Sequence, residues 1–198
     1  MFDDVSLGVR HLGKISMDPR FFEALASQGP HPSLGAHADT YGRIIGSWRG
    51  EVQAHVRGHS TPPATLEVHF GWALEGRAVQ DVWITPARDQ RAKGVTASLP
   101  PLDWYGTTLR VFDPRTGVWR ATWWNPIDGT RVDLEGVRQG DDIVQVGQRQ
   151  GRPIRWTFSD IRSNSFLWQG HVLELDGETW RLEVEIRARR EIGTVRVS

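Results

Sequence analysis

The chain has 198 residues, 24 basic and 24 acidic side chains, 10 tryptophans and no cysteine. A chain of this length builds a core without staples, and the missing thiols exclude disulfides, thiolate metal sites and cysteine nucleophiles together. Balanced charge offers no pull towards nucleic acid or an anionic membrane, so neither is expected as a partner.

Residues 1–16 show no clear pattern. Met1–Arg20 carries Asp3, Asp4, Arg10 and Lys14 without the apolar core of a signal peptide. No run reaches the ~18 apolar residues of a membrane helix, and a cytoplasmic location is expected. Asp18 as cap, Pro19 in first position and Gly29-Pro30 as a stop predict a short helix with Phe21, Phe22 and Leu25 as its apolar stripe. A second helical turn is expected within His37–Ile45. Residues 1–45 thus read as an N-terminal extension and 46–198 as the main body.

From Gly46 onward, turn signals recur between short β-rich runs. They are Glu75-Gly76, Asp113–Gly117, Asn125–Gly129, Gln139–Asp141, Gln150-Gly151 and Asp176-Gly177. About ten strands in meander order follow from this spacing, with no long helices between them, which argues against a parallel sheet. Three strands alternate cleanly. Trp48, Gly50, Val52, Ala54 and Val56 oppose Arg49, Glu51, Gln53, His55 and Arg57. Leu66, Val68, Phe70, Trp72 and Leu74 oppose Thr65, Glu67, His69 and Glu75. Trp180, Leu182, Val184, Ile186 and Ala188 oppose Arg181, Glu183, Glu185, Arg187 and Arg189. Period two marks a sheet with one dry face, and closing first strand on last would hide both edges. The expected fold is all-β: an antiparallel up-and-down barrel with a short N-terminal helical segment.

The middle strands carry apolar residues on both faces. Val79 and Trp83 oppose Val82 and Ile84, while Trp119 and Trp123 oppose Arg120, Thr122 and Trp124. An apolar outer face needs cover, from the N-terminal helix or from a second subunit, and a homodimer is expected. The stretch Pro86–Asp103 is the longest loop and a candidate lid.

The opening Gly46-Ser47-Trp48-Arg49-Gly50, beginning just after a helical turn, resembles the calycin (lipocalin-like) superfamily. So does the ordered series Leu74–Arg77, Asp81–Trp83, Tyr105–Thr108, Asp113–Trp119 and Gly177–Trp180, which looks like a bacterial branch of uncharacterised function. The resemblance spans about residues 44–190 and implies a barrel whose first tryptophan plugs the closed end. The neighbouring nitrobindins bind haem through a late histidine. Here Val52 departs from their glycine pattern, and the neighbours of His171 do not form a haem-ligand motif.

No nucleophile elbow, zincin helix, phosphate loop or EF-hand is present. His31 and His37 make a poor metal pair, and neither metal nor cofactor is expected. Charges within apolar strands draw more interest: Asp81 between Val79 and Trp83, Arg110 between Leu109 and Val111, and Arg120 among Trp119, Trp123 and Trp124. A charge inside a barrel must be paired or touch ligand, so Asp81 with Arg120 is a candidate pair that would orient an acidic or carbonyl-bearing ligand, the alternative for each being solvent exposure or a structural bridge. Trp72, Trp83, Tyr105, Trp124 and Trp156 are candidates for a pocket wall, with His171 as a further candidate lining group.

Three functional readings follow. The first is a carrier or sensor of a hydrophobic, planar or aromatic small molecule held in the barrel. The second is an enzyme, a cyclase, isomerase or lyase, using Asp81, Tyr105, Arg120 or His171 for acid–base work in the same cavity. The third is a dimeric structural or interaction protein.

Overall fold

The structure is a computed structural model and describes residues 19–56, 58–96 and 102–191. The Asp18 cap, residues 1–16, Arg57 and the middle of the Pro86–Asp103 loop lie outside these. The elements are α1 (Pro19–Leu25), β1 (Ala26–Ser27), a 3-10 turn (Pro32–His37), α2 (Ala38–Gly42), β2 (Gly46–Val56), β3 (His59–Ser60), β4 (Ala64–Ala73), β5 (Ala78–Thr85) and α3 (Arg88–Arg91). They continue with β6 (Trp104–Asp113), β7 (Val118–Asn125), β8 (Thr130–Gln139), β9 (Asp142–Arg149), β10 (Arg152–Ser159), β11 (Ser165–Leu173) and β12 (Trp180–Arg190).

Strands β4 to β12 pair in succession, β12 pairs with β2, and β2 pairs with β4, which closes a barrel of 10 antiparallel strands. The two-residue β1 and β3 add to β4 and β2. Closure satisfies every long strand on both sides and leaves no long edge. The predicted alternation places Trp48, Val52, Leu66, Val68, Phe70, Ile186 and Ala188 in the core.

One end of the barrel is plugged. Tyr41 and Ile44, from α2 and the turn after it, are fully buried there with Trp48. Trp48 Nε1 donates to the Ile44 carbonyl at 2.8 Å. Arg190, from the end of β12, lies 4.1 Å from the Trp48 ring centroid and donates to the Ile45 carbonyl at 2.6 Å. A tryptophan from the first long strand is thus clamped by an arginine from the last.

The alternation fails at two places. Across β11 and β12 the register passes from Gly170↔Val184 to His171↔Leu182, so Glu183 is an extra residue. The bulge inverts the faces on its far side. Val184, Ile186 and Ala188 keep the expected orientation, but Arg181 and Glu183 line the interior cavity and Trp180 turns out under the Arg155 guanidinium, 4.6 Å from its ring centroid. The expectations of an inward Trp180 and an outward Glu183 are corrected accordingly. Leu74, expected inside, sits in the β4–β5 turn with φ 53° and is exposed.

A short N-terminal helix forms, but it ends at Leu25, before the expected Gly29-Pro30 stop, and Ala26–Ser27 pairs with β4 instead; none of its residues is buried, and Phe21 and Phe22 are exposed. It does not supply the expected cover for the outer face. The Pro86–Asp103 stretch is tied down in its described part: Arg88 pairs with Glu67, and Arg91 with Asp103 and the Thr85 carbonyl at 2.7 Å. Glu67 accordingly lies on the outer face, as expected, yet is buried beneath arginines. Among the described residues no helix is long and apolar enough to cross a membrane.

Candidate functional site: a tryptophan-walled cavity

The barrel interior holds a cavity of about 610 Å³. Its wall is an unbroken array of five indoles from five strands: Trp104 (β6), Trp123 (β7), Trp156 (β10), Trp168 (β11) and Trp83 (β5). Successive ring centroids lie 6.2, 6.5, 5.6 and 5.8 Å apart, at interplanar angles of 53° to 81°. Tilted and edge-to-face contacts of this kind suit the aromatic quadrupole and hold each ring rigidly. Two glycines make room for them. A side chain at Gly106 would collide with the Trp123 ring, and one at Gly170 would come within 3.0 Å of Trp168.

The inner end of the cavity is ionic. Arg110 Nη1 donates to Asp81 Oδ2 at 2.6 Å, and Asp81 Oδ1 accepts from the Thr108 amide at 2.6 Å. Both side chains are at most 2% exposed. The guanidinium also lies 5.0 Å from the Tyr41 ring and 5.7 Å from that of Phe70. Arg110 and Thr108 belong to the cavity wall.

A network of alternating charge runs along one side of the cavity, with Arg149, Arg181 and Glu183 in its lining. Arg149 pairs with Glu183, which also accepts from Arg181 at 3.3 Å; Arg181 pairs in turn with Glu174, which accepts from Arg152 at 3.0 Å. The Arg181 hydrogen bond holds the Glu174 carboxyl below the usual carboxylate range. The bulge at Glu183 is what turns this network towards the cavity.

Of the residues singled out from the sequence, Trp83 and Trp156 stand in the cavity wall. Asp81 lies behind it, fixed to Arg110 rather than to Arg120. Trp72 is buried elsewhere, against Gly42 of α2. The other four lie outside the cavity. Tyr105 and Trp124 are exposed, with the Arg131 guanidinium 5.5 Å from the Trp124 ring centroid. Arg120 bonds Asp113 at 3.2 Å and Glu135 at 2.9 Å on the outer face. His171 pairs across from Arg155 on the outer face, and burial followed by the Arg155 charge lowers its pKa. That position takes it away from the cavity. Among the described residues no group of three or more histidines, aspartates or glutamates could hold a metal ion.

The sequence reading left out Trp104, Trp123, Trp168 and Arg110 as lining groups. The signal for two of them was present. Once Trp119 and Trp123 are set on the face opposite Arg120 and Trp124, only one pair can be inside, and Arg110 shares its face with Thr108 and Gly106.

No family model matches the chain, and no curated protein matches it. Solved structures do. The S-type phycobiliprotein lyase CPES from Guillardia theta superposes with a TM-score of 0.51 at 7% identity, over 78% of this chain and 92% of its own. The Rv2717c protein from M. tuberculosis gives 0.50 at 11% identity, over 82% of this chain and 99% of its own. What they share with this chain is the fold, here a closed antiparallel barrel of 10 strands. At such identities the likeness is one of architecture, and function must be argued from the site.

Proposed function

We propose that this barrel binds a hydrophobic, planar small molecule between its indoles, as a carrier or sensor. The observation that carries the reading is the five-tryptophan wall around a cavity of about 610 Å³, a size typical of small-molecule sites. Indoles offer large stacking faces at low entropic cost. The lyase named among the structural neighbours raises the enzyme reading, but the acid–base candidates weigh against it. Asp81 is locked in an ion pair, and Tyr105, Arg120 and His171 lie outside the cavity. Native mass spectrometry of freshly purified protein, alone and after incubation with fluorene, tests the binding reading. A one-to-one adduct with either a co-purified molecule or fluorene is expected; its absence in both samples overturns the reading.

We also propose that a second copy of the chain covers the outer face of β6–β9. Tyr105, Leu109, Val111, Trp124 and Val146 are exposed there. Val111, Arg120, Glu135 and Val146 form one row across the four strands. An arginine and a glutamate side by side within an apolar patch are self-complementary under a two-fold axis, where each faces the other's opposite charge.

A further inference from the structure

Behind the ionic inner end lies a cluster of polar side chains that the protein itself leaves unbonded. Arg110 Nε, Tyr41 Oη, Trp119 Nε1 and both polar atoms of Gln145 are buried and find no hydrogen-bond partner among the described residues. They stand together. The Tyr41 and Trp119 rings meet edge to face at 5.1 Å, and the Arg110 guanidinium lies over the Tyr41 ring, 5.0 Å from its centroid. Trp119, Gly136 and Gln145 are cross-strand neighbours on β7, β8 and β9. The Tyr41 hydroxyl occupies the space that a side chain at Gly136 would need, and Gln145 is close by. Gln145 also pairs across from Trp156 of the cavity wall, and Arg110 is itself wall. The cluster therefore lies directly behind the cavity's inner end, with Arg110 as its one member in the wall.

Its chemistry is donor-rich. Arg110 Nε and Trp119 Nε1 can only donate and Gln145 Nε2 brings two more N–H donors, against Gln145 Oε1 as the one group that only accepts and the Tyr41 hydroxyl, which can do either. Burial pushes the Tyr41 pKa up to about 12, with the charge of Arg110 and the approach of its N–H groups to the phenol oxygen opposing the rise, so the phenol keeps its proton. The one full positive charge is already neutralised by Asp81. A carboxylate placed here would add an uncompensated buried charge, whereas a neutral oxygen acceptor would answer the donors at no such cost.

We infer that this cluster is a carbonyl seat, which receives a neutral C=O group at the leading end of the cavity's planar ligand. The inference rests on the binding reading above and gives the ligand a chemical class: a polycyclic or conjugated ketone, quinone, lactam or amide, inserted oxygen first. It also accounts for why a folded interior keeps unpaired donors. Buried groups left unbonded cost stability, and a protein retains that cost where a ligand makes use of them.

The test compares 9-fluorenone with fluorene, which share a planar ring system and differ in a carbonyl against a methylene. Quenching of intrinsic tryptophan fluorescence reads both. Wild-type protein should bind fluorenone about 5- to 10-fold more tightly, the scale of one or two buried hydrogen bonds. The Tyr41→Phe/Gln145→Leu double variant keeps the Asp81–Arg110 pair. It should lose at least about threefold of that preference while holding fluorene within about twofold of wild type. In the free protein these substitutions should leave Tm unchanged or raise it, because they remove unsatisfied groups; a purely structural role for the cluster requires Tm to fall. Equal binding of the two probes by wild type, as expected of a chamber that only holds ordered water, overturns the carbonyl seat and leaves the binding reading standing. Binding of neither probe removes both.

Discussion

Arg110 and Asp81 form an ion pair, 2.6 Å from Nη1 to Oδ2, between neighbouring strands inside the barrel. Burial makes the pair asymmetric in its response to substitution. Arg110→Met leaves a carboxylate without its cation in a dry interior and should destabilise the fold by about 3–5 kcal/mol. The double variant Asp81→Leu/Arg110→Met removes both charges, losing one acceptor for the Thr108 amide, and should lie within about 2 kcal/mol of wild type. Arg120→Met, on the outer face, should change stability by less than about 1 kcal/mol. Urea denaturation of the three variants measures all of this, and equal losses in the single and double variants would sink the argument.

The wrong partner proposed for Asp81 shows what period-two reasoning reads and what it misses. It put Asp81 on one face with Val79 and Trp83, while leaving solvent exposure or a structural bridge open for it, and it separated Trp119 and Trp123 from Arg120 and Trp124. It took the face of Arg120 and Trp124, the outer one here, for the inner, because both faces carry indoles and nothing in the alternation tells them apart. The register that sets Asp81 beside Thr108, one step from Arg110, is a property of the closed sheet. The strands of the barrel and the N-terminal helix were legible because each is written in contiguous residues, and the plug at Trp48 was what the resemblance implied. The cavity wall was not, because its five tryptophans come from five strands. The Glu183 bulge has no local signal within an otherwise perfect alternation.

Trp123 and Trp124 are adjacent in sequence and point to opposite faces. Trp123→Ala removes a link in the indole array and should weaken fluorene binding by about tenfold, read by the protection against thermal unfolding that bound ligand gives. Trp124→Ala should leave that protection unchanged. Loss of protection in both variants would place the binding site outside the barrel.

Along β12, Ile186 is fully buried in the core, whereas Val184 stands in the cavity wall with partial exposure. Ile186→Asp should abolish folding at ambient temperature, because an unpaired carboxylate in packed interior costs several kcal/mol. Val184→Asp faces space that water can enter and should leave a folded barrel with weaker affinity for apolar ligands. Circular dichroism separates the two outcomes, and a folded Ile186→Asp would refute the assigned strand register.

The β11–β12 turn supplies a pH signature. Asp176 accepts from the Thr179 hydroxyl at 2.6 Å and from the Thr179 and Glu178 amides at 2.9 and 3.0 Å, which holds its pKa down to about 2 against 3.8 ordinarily. The unfolded chain therefore takes up this proton first, and stability rises with pH across that window. The contribution is fully present above about pH 4 and lost as pH falls towards 2. Tm measured from pH 5 to pH 2 should fall more steeply for wild type than for Asp176→Asn, which has no proton to gain. Parallel curves would count against the turn geometry.

The outer face of β6–β9 sets the last expectation. Exposed apolar side chains are ordinary singly, but contiguous ones mark a contact surface. The register places Trp124 opposite Thr107, between the outward Tyr105 and Leu109, so the patch is continuous across strands. Arg120 and Glu135 sit within it as a neutral pair. Sedimentation at micromolar concentration should therefore give a particle of twice the 22.4 kDa chain. Leu109→Arg and Val111→Arg add like charges that meet near a two-fold axis, and should return the protein to monomer without lowering Tm, since both side chains are exposed in the single chain. Glu135→Arg should do the same by leaving two arginines facing each other, and pairing it with Arg120→Glu should restore the dimer. A wild-type monomer would overturn the second-copy proposal outright. A dimer insensitive to all these changes would move the interface to another face of the barrel.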